Sequence, residues 1–252
     1  MAVKMAVPAT TFSSATWACG LMLFLCSSGC HQQNAAERVS ASPETGTSEV
    51  SRVASVPTWI DLKPGLRCSR ATRSVMFEAE ICLDEGWLEQ LVCSVGTREH
   101  ESIMSTTVAA SSIHAAMLAV GLESGRPGQW VDGFLPPEGS EIEILVGTSG
   151  DLVYVPVREW VVSTDGRMPL RPWVFAGSRM RSPQEVPEGY SLYEADTSGS
   201  IVGLVTFGDE LLGYQEVIPD QVEVAPEEWK ALTDLIPPVG TKVWVLIRPT
   251  EN

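Results

Sequence analysis

The sequence is poor in basic residues. Its 252 residues include 17 Lys and Arg against 32 Asp and Glu, which gives a formal net charge of −15. A surface of this sign repels nucleic-acid phosphates and anionic lipid headgroups, so the composition argues against nucleic-acid binding and against polybasic attachment to a membrane. Cations and basic partners stay open as ligands.

Histidine and cysteine are also scarce, and this limits the chemistry that the chain can perform. The sequence has 3 His and 6 Cys. No Cys-x-x-Cys spacing occurs, so an iron–sulfur cluster or a zinc ribbon has no support. There is no Gly-rich phosphate loop, and neither His100 nor His114 has a recognisable Ser and Asp for nucleophilic catalysis. The missing catalytic set favours a protein that is not an enzyme.

The apolar run near the N-terminus is too short to cross a membrane. WACGLMLFLC at 17–26 has ten residues, whereas a membrane-spanning helix needs roughly 20, and this length is typical of a signal peptide. SSG at 27–29 then precedes Cys30, which resembles the cleavage box of bacterial lipoproteins. We therefore expect residues 1–29 to be a lipoprotein-type signal peptide and Cys30 to carry the lipid. An ordinary secretory signal is the alternative.

A linker and then a folded domain are expected after the signal peptide. Residues 30–57 comprise Cys30 and a stretch rich in Ser, Ala, Glu and Thr without an apolar period, which is typical of a flexible, disordered tether. His31 stands where Asp would suggest retention at the inner membrane, which favours the outer membrane or its periplasmic face. Residues 58–252 are expected to form one globular domain.

Alternating hydrophobicity predicts a domain built mainly of strands. The expected strands are 75–81 with its return 87–93, 141–144 with its return 152–157, the fully buried 200–207, and 242–248. The two pairs are expected to be hairpins, because turn residues stand between their strands. A helix competes over 87–93, where Leu88 and Leu91 are three residues apart.

Two helices are expected among these strands. Residues 112–120 carry an apolar stripe at helical spacing. Residues 226–235 begin with Pro226 and two glutamates, which the positive end of a helix dipole favours. The sequence therefore predicts an α+β fold, a β-rich single domain with two or three helices.

The segment GTREHES at 96–102 is the best candidate for a binding site. The candidate ligands of a divalent metal are Glu99, His100, Glu101, His114 and Cys93. Imidazole and carboxylate are common transition-metal ligands, but the residue four past His100 is Met104, so the helical His-Glu-x-x-His arrangement is missing. The alternative is a structural turn with Thr97 as its cap and His114 at the edge of an apolar helix face.

Cys82, Cys93 and Asp196 are further candidates. Export permits disulfides, and Cys82 with Cys93 is the candidate pair, although the predicted hairpin places each of them opposite another residue. Three buried free thiols, Cys68 included, are the alternative. Asp196 lies at the mouth of the buried strand 200–207, either as a ligand-binding carboxylate or as a turn residue that starts the strand.

Several short motifs together resemble the YdjY-domain family of exported bacterial proteins. These motifs are CLxEGxLExLxC (82–93), GTREHES (96–102), IHAAxL (113–118), MP (168–169), WVFAGS (173–178), YxAD (193–196) and PPVGT (237–241). The similarity runs from about Thr58 to Pro249. It departs from the family at Thr206, because relatives tend to have Asn before the Phe. The resemblance implies an exported, often lipid-anchored single domain, and it brings no established activity, substrate or cofactor.

The anchor, the linker and the acidic domain together predict a membrane-anchored lipoprotein of the cell envelope. Its domain is expected to be a non-catalytic binding or scaffolding module. Two alternatives stay open: a metal-binding or small-ligand site around His100 and His114, and thiol redox chemistry through Cys82 and Cys93.

Overall fold

The structure, a computed structural model, describes residues 57–148, 153–221, 223–224, 226 and 228–250. The expected signal peptide, the lipidated cysteine and nearly all of the linker lie outside the described residues, so these assignments stay predictions. Within the described part of the chain, no helix is long and apolar enough to span a membrane.

Strands dominate the described residues, as the hydrophobic alternation predicts. The strands, numbered in chain order, are β1 Ile60–Lys63, β2 Leu66–Ser69, β3 Ser74–Ile81, β4 Trp87–Leu88, β5 Gln90–Ser94, β6 Ser102–Thr106, β7 Ser124–Arg126, β8 Glu138–Gly139, β9 Glu141–Thr148, β10 Val155–Pro156, β11 Val161–Ser163, β12 Trp173–Phe175, β13 Ser200–Gly203, β14 Leu212–Tyr214, β15 Trp229–Ala231 and β16 Lys242–Pro249. The helices are α1 Ala110–Ala119 and α2 Glu194–Ser198, and short 3-10 turns lie at Glu99–Glu101, Val157–Trp160 and Thr233–Leu235. The β-rich α+β class is confirmed in this broad form.

One sheet curls into a nearly closed barrel. Its strands are hydrogen-bonded in the order β3, β16, β9, β12, β14, β13, β5 and β6. β6 then pairs back onto β3, with Glu80 opposite Ser105 and Ile81 opposite Met104. β2 pairs with the first half of the same edge of β3, and β1 continues outward from β2. A small sheet of β11, β15 and β4 and a ribbon of β7 and β8 lie outside this ring.

The barrel interior is filled with apolar side chains. In β3, Phe77, Ala79 and Ile81 are buried while Glu78 and Glu80 are exposed, which is the two-residue period of a strand with one face in the core. The largest fully buried side chains include Trp173, Phe77, Phe175, Ile81, Leu91 and Ile103. Each large apolar side chain that is fully buried contributes roughly 1.5–3 kcal/mol, so this core is the main source of stability.

Several local predictions are confirmed. Helix α1 covers the segment predicted over 112–120 and buries its apolar stripe, including Ile113 and Met117. β9 and β10 pair antiparallel, with Val146 opposite Val155, as the predicted hairpin requires. β16 covers the predicted C-terminal strand, and all four residues of β13 are buried. β13 ends at Gly203, so the strand predicted over 200–207 forms only over its first half.

The helix predicted over 226–235 is wrong. Strand β15 and a 3-10 turn occupy this segment, and β15 pairs with both β11 and β4. Trp229 is buried, with its ring 5.6 Å from that of Tyr214 between centroids. Burial of this large ring and the strand pairing outweigh the local helix-start signal at Pro226, because propensity is a weak preference that tertiary contacts override.

The hairpin predicted from 75–81 to 87–93 is also wrong. Both edges of β3 are occupied, one by β16 and the other by β2 and β6. The returning segment therefore divides into β4, which joins the small sheet, and β5, which pairs with β13 and β6. The chain does reverse at 84–86, as predicted, but the strands that follow the reversal do not pair with β3.

Candidate functional site

The loop between β5 and β6 carries most of the predicted site residues. It reverses at Gly96, whose φ is +82°, and continues into the 3-10 turn Glu99–Glu101. The Glu99 carboxylate accepts a hydrogen bond from the Gly96 N–H, and this contact lowers the pKa of Glu99. Thr97 does not cap the turn, because its hydroxyl donates backwards to the Ser94 carbonyl at 2.6 Å. The turn predicted here is present, and Glu99 is the residue that holds its start.

Parallel pairing of β5 with β6 brings Glu89 beside Glu101. Gln90 is the register partner of Ser102, and one residue earlier the Glu89 N–H donates to the Glu101 carbonyl at 3.0 Å. The two side chains line one cleft and share Arg98 as a neighbour. Burial, and next the charge of Glu101, raise the pKa of Glu89 to about 7. Glu89 therefore exchanges its proton near neutral pH.

Arg98 and His100 flank this carboxyl pair. Arg98 Nη1 lies 3.3 Å from Glu101 Oε1 and 3.9 Å from Glu89 Oε2, and the guanidinium carbon is 4.0 Å from the centroid of the Phe207 ring. His100 Nε2 is 3.5 Å from Glu101 Oε2, and the His100 side chain is 77% exposed. Arg98 thus offsets part of the negative charge, while His100 stands at the solvent side.

The carboxyl pair lines a cleft of about 530 Å³. Its apolar lining consists of Trp87, Leu88, Val205, Ile218, Pro219 and Pro226, and its other carboxylates are Asp220, Glu223 and Glu228. Lys230 Nζ lies 4.2 Å from the centroid of the Trp87 ring, so an ammonium group already rests on this aromatic face. A concave site with apolar walls, convergent ionisable groups and a displaced pKa has the usual features of a ligand site.

His114 lies in a different environment. Its Nδ1 is 2.8 Å from the Tyr193 hydroxyl, which donates to the Gly177 carbonyl at 2.9 Å, and its ring packs edge-on against Phe175. Burial lowers the pKa of His114, so the imidazole is neutral at pH 7. The structure does not bring His114 and His100 together. In the described ranges, no group of three or more His, Cys, Asp or Glu side chains could hold a metal.

Asp196 has a structural position on α2. Its Oδ1 accepts a hydrogen bond from the Ser111 N–H at 2.8 Å, and its Oδ2 accepts one from the Ser191 hydroxyl at 3.1 Å. Ser111 lies in the first turn of α1, where backbone N–H groups lack partners within the helix. The carboxylate therefore caps a neighbouring helix and complements its dipole, whereas the sequence suggested a turn that starts β13.

Cys68, Cys82 and Cys93 are free thiols. β6 pairs with β3, which leads to Cys82, and on its other edge with β5, which carries Cys93. The Cys82 thiol donates to the Ser102 carbonyl oxygen of β6 at 3.1 Å. The neighbouring Cys82 side chain lowers the pKa of Cys93 to about 7, and the Cys93 side chain together with burial raises the pKa of Cys82.

Glu89 and Trp87 are site residues that the sequence alone did not reveal. Glu89 meets Glu101 only because β5 and β6 run parallel, and hydrophobic alternation carries no information on which strands pair. The one available signal was the motif CLxEGxLExLxC at 82–93, in which Glu89 is a residue shared with the resembling family.

The fold and the cleft together define a β-rich barrel domain with an acidic cleft. The family model of the YdjY domain matches residues 67–248. The chain belongs to the YdjY domain family, as its motifs predict. No curated protein and no solved structure matches it. The matched span includes every residue of the cleft, Cys82 and Cys93.

Proposed function

We propose that the protein is an exported lipoprotein whose globular domain binds a ligand carrying a protonated amine. The observation that carries this proposal is the pair of Glu89 and Glu101, both within 4 Å of Arg98 and both lining a cleft with apolar walls. Membership of the YdjY domain family supplies the domain and no ligand, so the ligand class follows from the chemistry of the cleft.

The carboxyl pair is suited to an organic cation. Because the pKa of Glu89 is about 7, its proton can be exchanged for an ammonium group, which donates to both carboxyl groups in charge-assisted hydrogen bonds. Asp220 and Glu223 add negative charge along the cleft. Leu88 and Ile218 offer apolar surface for the methylene groups of the ligand. An aliphatic polyamine combines these features.

The lipid anchor is the second part of the proposal. The apolar run at 17–26 and Cys30 after SSG support a lipid on Cys30, and His31 supports the outer membrane or the periplasmic face. Mass spectrometry of the mature N-terminus and fractionation of a Cys30→Ala variant test this. We expect a lipidated Cys30 and release of the variant from the membrane fraction. An unmodified N-terminus in a freely soluble wild type would contradict the anchor.

Affinity measurements on the full chain test the cleft. Spermidine is the probe in isothermal titration calorimetry with wild type, Glu101→Gln and, as the control, Glu188→Gln. The first variant removes one member of the pair, and the control removes an exposed carboxylate outside the cleft. A hydrogen bond to a charged group is worth about 1.5–3 kcal/mol, so we expect at least a tenfold loss of affinity in E101Q and little in E188Q. Equal losses of affinity in E101Q and E188Q, or no binding of spermidine by the wild type, would contradict the proposal.

Acid–base catalysis is a second candidate, which the unequal carboxyl groups favour. Glu89 is protonated up to about pH 7, so it has the form of a general acid. Turnover of a hydrolase substrate panel that is lost in both Glu89→Gln and His100→Ala would establish this function. Absence of turnover in the wild type would remove it.

A further inference from the structure

A second cleft, of about 450 Å³, lies on the outer face of the barrel. Its floor is β3, one wall is the start of β16, and the other wall is the end of β6 with the residue that follows. Among the described residues, this cleft shares no lining side chain with the cleft proposed to bind an amine. The side chains that decide its chemistry are Glu78, Glu80, Ser105, Thr107, Lys242 and Trp244.

Strand register sets most of these side chains in two neighbouring rows. Trp244 of β16 lies opposite Glu78 of β3. In the next row, Lys242 lies opposite Glu80, which on its other side lies opposite Ser105 of β6. Side chains directly opposite on one face of a sheet have Cβ atoms about 4.5–5.5 Å apart. An indole ring, two carboxylates, an ammonium group and a hydroxyl therefore line one short groove.

Trp244 turns one face of its ring toward this groove. The guanidinium carbon of Arg67 lies 4.0 Å from the centroid of the Trp244 ring. Arg67 belongs to the register row of Met76, and this row is on the opposite side of Trp244 from the row of Glu80. The guanidinium therefore covers the ring face that points away from the groove, and the face toward Glu80 is left for a ligand.

The charged side chains of the groove have no partner within the described part of the chain. The Glu78, Glu80 and Lys242 side chains form neither a hydrogen bond nor an ion pair with another described residue, and all three are exposed. Thr106 fixes the wall beside them, because its hydroxyl donates to the Glu78 carbonyl at 2.6 Å and accepts from the Val108 N–H at 3.1 Å. A ligand here must replace water on carboxylates and on an ammonium group at once.

We propose that this groove binds a neutral saccharide, with one pyranose ring stacked on Trp244. The C–H bonds of a pyranose form an apolar face that packs on an aromatic ring, and its hydroxyls lie around the edge. A hydroxyl both donates and accepts hydrogen bonds, so the ligand can donate to Glu80 and accept from Lys242. A concave site with apolar surface and a few convergent polar groups is usual for a small ligand.

Other classes of ligand fit this groove less well. An anion would meet two carboxylates, whereas a cation would meet Lys242 and an indole that already carries a guanidinium on its other face. A wholly apolar ligand would remove water from three charged groups without replacing its hydrogen bonds. The proposal goes beyond the amine site, and neither depends on the other.

Isothermal titration calorimetry on the full chain tests this proposal, with cellotriose, maltotriose and chitotriose as the probes. Trp244→Ala removes the stacking surface. Glu80→Gln removes one charged acceptor and keeps the shape of the side chain. Trp87→Ala is the matched control, because Trp87 is also a partly exposed tryptophan with a cation on its ring, but it lines the other cleft.

We expect at least one of these saccharides to bind the wild type, and to bind W244A about tenfold more weakly because the stacked ring is lost. The affinity of W87A for the saccharide should equal that of the wild type, and the affinity of W244A for spermidine should not change. No binding of any of the three saccharides by the wild type, undiminished binding in W244A, or an equal loss in W87A would overturn the proposal.

Glu80→Gln keeps the proposal testable if W244A fails to fold, because Glu80 is exposed and has no partner among the described residues. A hydrogen bond to a charged acceptor is stronger than one to a neutral acceptor, so we expect saccharide affinity to fall about fivefold in E80Q. An unchanged affinity in E80Q would contradict the site.

Discussion

Replacing Glu101 by Gln is expected to stabilise the protein at alkaline pH, although Glu101 lines the proposed ligand site. The pKa of Glu89 is raised to about 7 from an ordinary 4.5, first by burial and then by the charge of Glu101. A group whose pKa is higher in the folded than in the unfolded protein favours folding below pH 4.5 and loses that contribution as the pH rises through 7. At pH 8 Glu89 is ionised, and it lies beside an acidic side chain in the wild type but beside a neutral amide in the variant.

The size of the stability gain expected for E101Q follows from the pKa shift and the solvent exposure of Glu89. The interval from 4.5 to about 7 corresponds to about 3 kcal/mol at 1.36 kcal/mol per pH unit. Burial is the larger cause, and the Glu89 side chain is 33% exposed, so solvent screens its interaction with Glu101. We therefore expect E101Q to gain only about 1 kcal/mol at pH 8. At pH 5 the gain should vanish, because Glu89 is then protonated in the wild type.

Urea unfolding at pH 5 and pH 8, followed by tryptophan fluorescence, measures this difference. Burial also raises the pKa of Glu210 to about 7, so Glu210 titrates in the same range, but it is present in both wild type and variant. Glu188→Gln controls for the change of net charge. If E101Q is no more stable than E188Q at pH 8, the reasoning about the carboxyl pair is refuted.

Three further substitutions test the surrounding structure. Gly199→Ala should lower the melting temperature more than Gly86→Ala, because both glycines have positive φ but only at Gly199 would an added Cβ collide, with Thr97; equal shifts would contradict this. Asp196→Ala removes the cap of α1 and should cost about 1 kcal/mol in denaturant unfolding, with Asn restoring most of it; a neutral Ala variant would count against the cap. Glu210→Gln turns an amide toward the backbone N–H groups that donate to the buried carboxylate, and should cost about 1–3 kcal/mol at pH 8; a variant as stable as the wild type would contradict this role of Glu210.

The sequence predicts elements whose pattern is local. Phe77, Ala79 and Ile81 alternate with two glutamates, and the strand periodicity survives in the barrel because one face of β3 is in the core. The apolar stripe of α1 is likewise predicted because the spacing of its residues is a local pattern. The helix prediction for 226–235 is wrong because the helix-start signals are local. The burial of Trp229 against Tyr214 depends instead on residues far away in the chain.

The candidate site could be predicted only in part. The loop at 96–102 is identified by its density of ionisable residues, and it does carry Glu101 and His100 of the cleft. Glu89 was not predicted as their partner, because its approach depends on the parallel register of β5 with β6. His114 was grouped with them by residue type alone, and the fold places it beside Tyr193 and Phe175 instead.

Proton release on spermidine binding tests the central claim most directly. Calorimetry at pH 7 in two buffers of different ionisation enthalpy gives the number of protons released. Because the pKa of Glu89 is about 7, a cation seated beside it should displace about half a proton in the wild type, and clearly less in E101Q. Tight binding with no proton release in the wild type would show that the cation does not bind at the pair of Glu89 and Glu101.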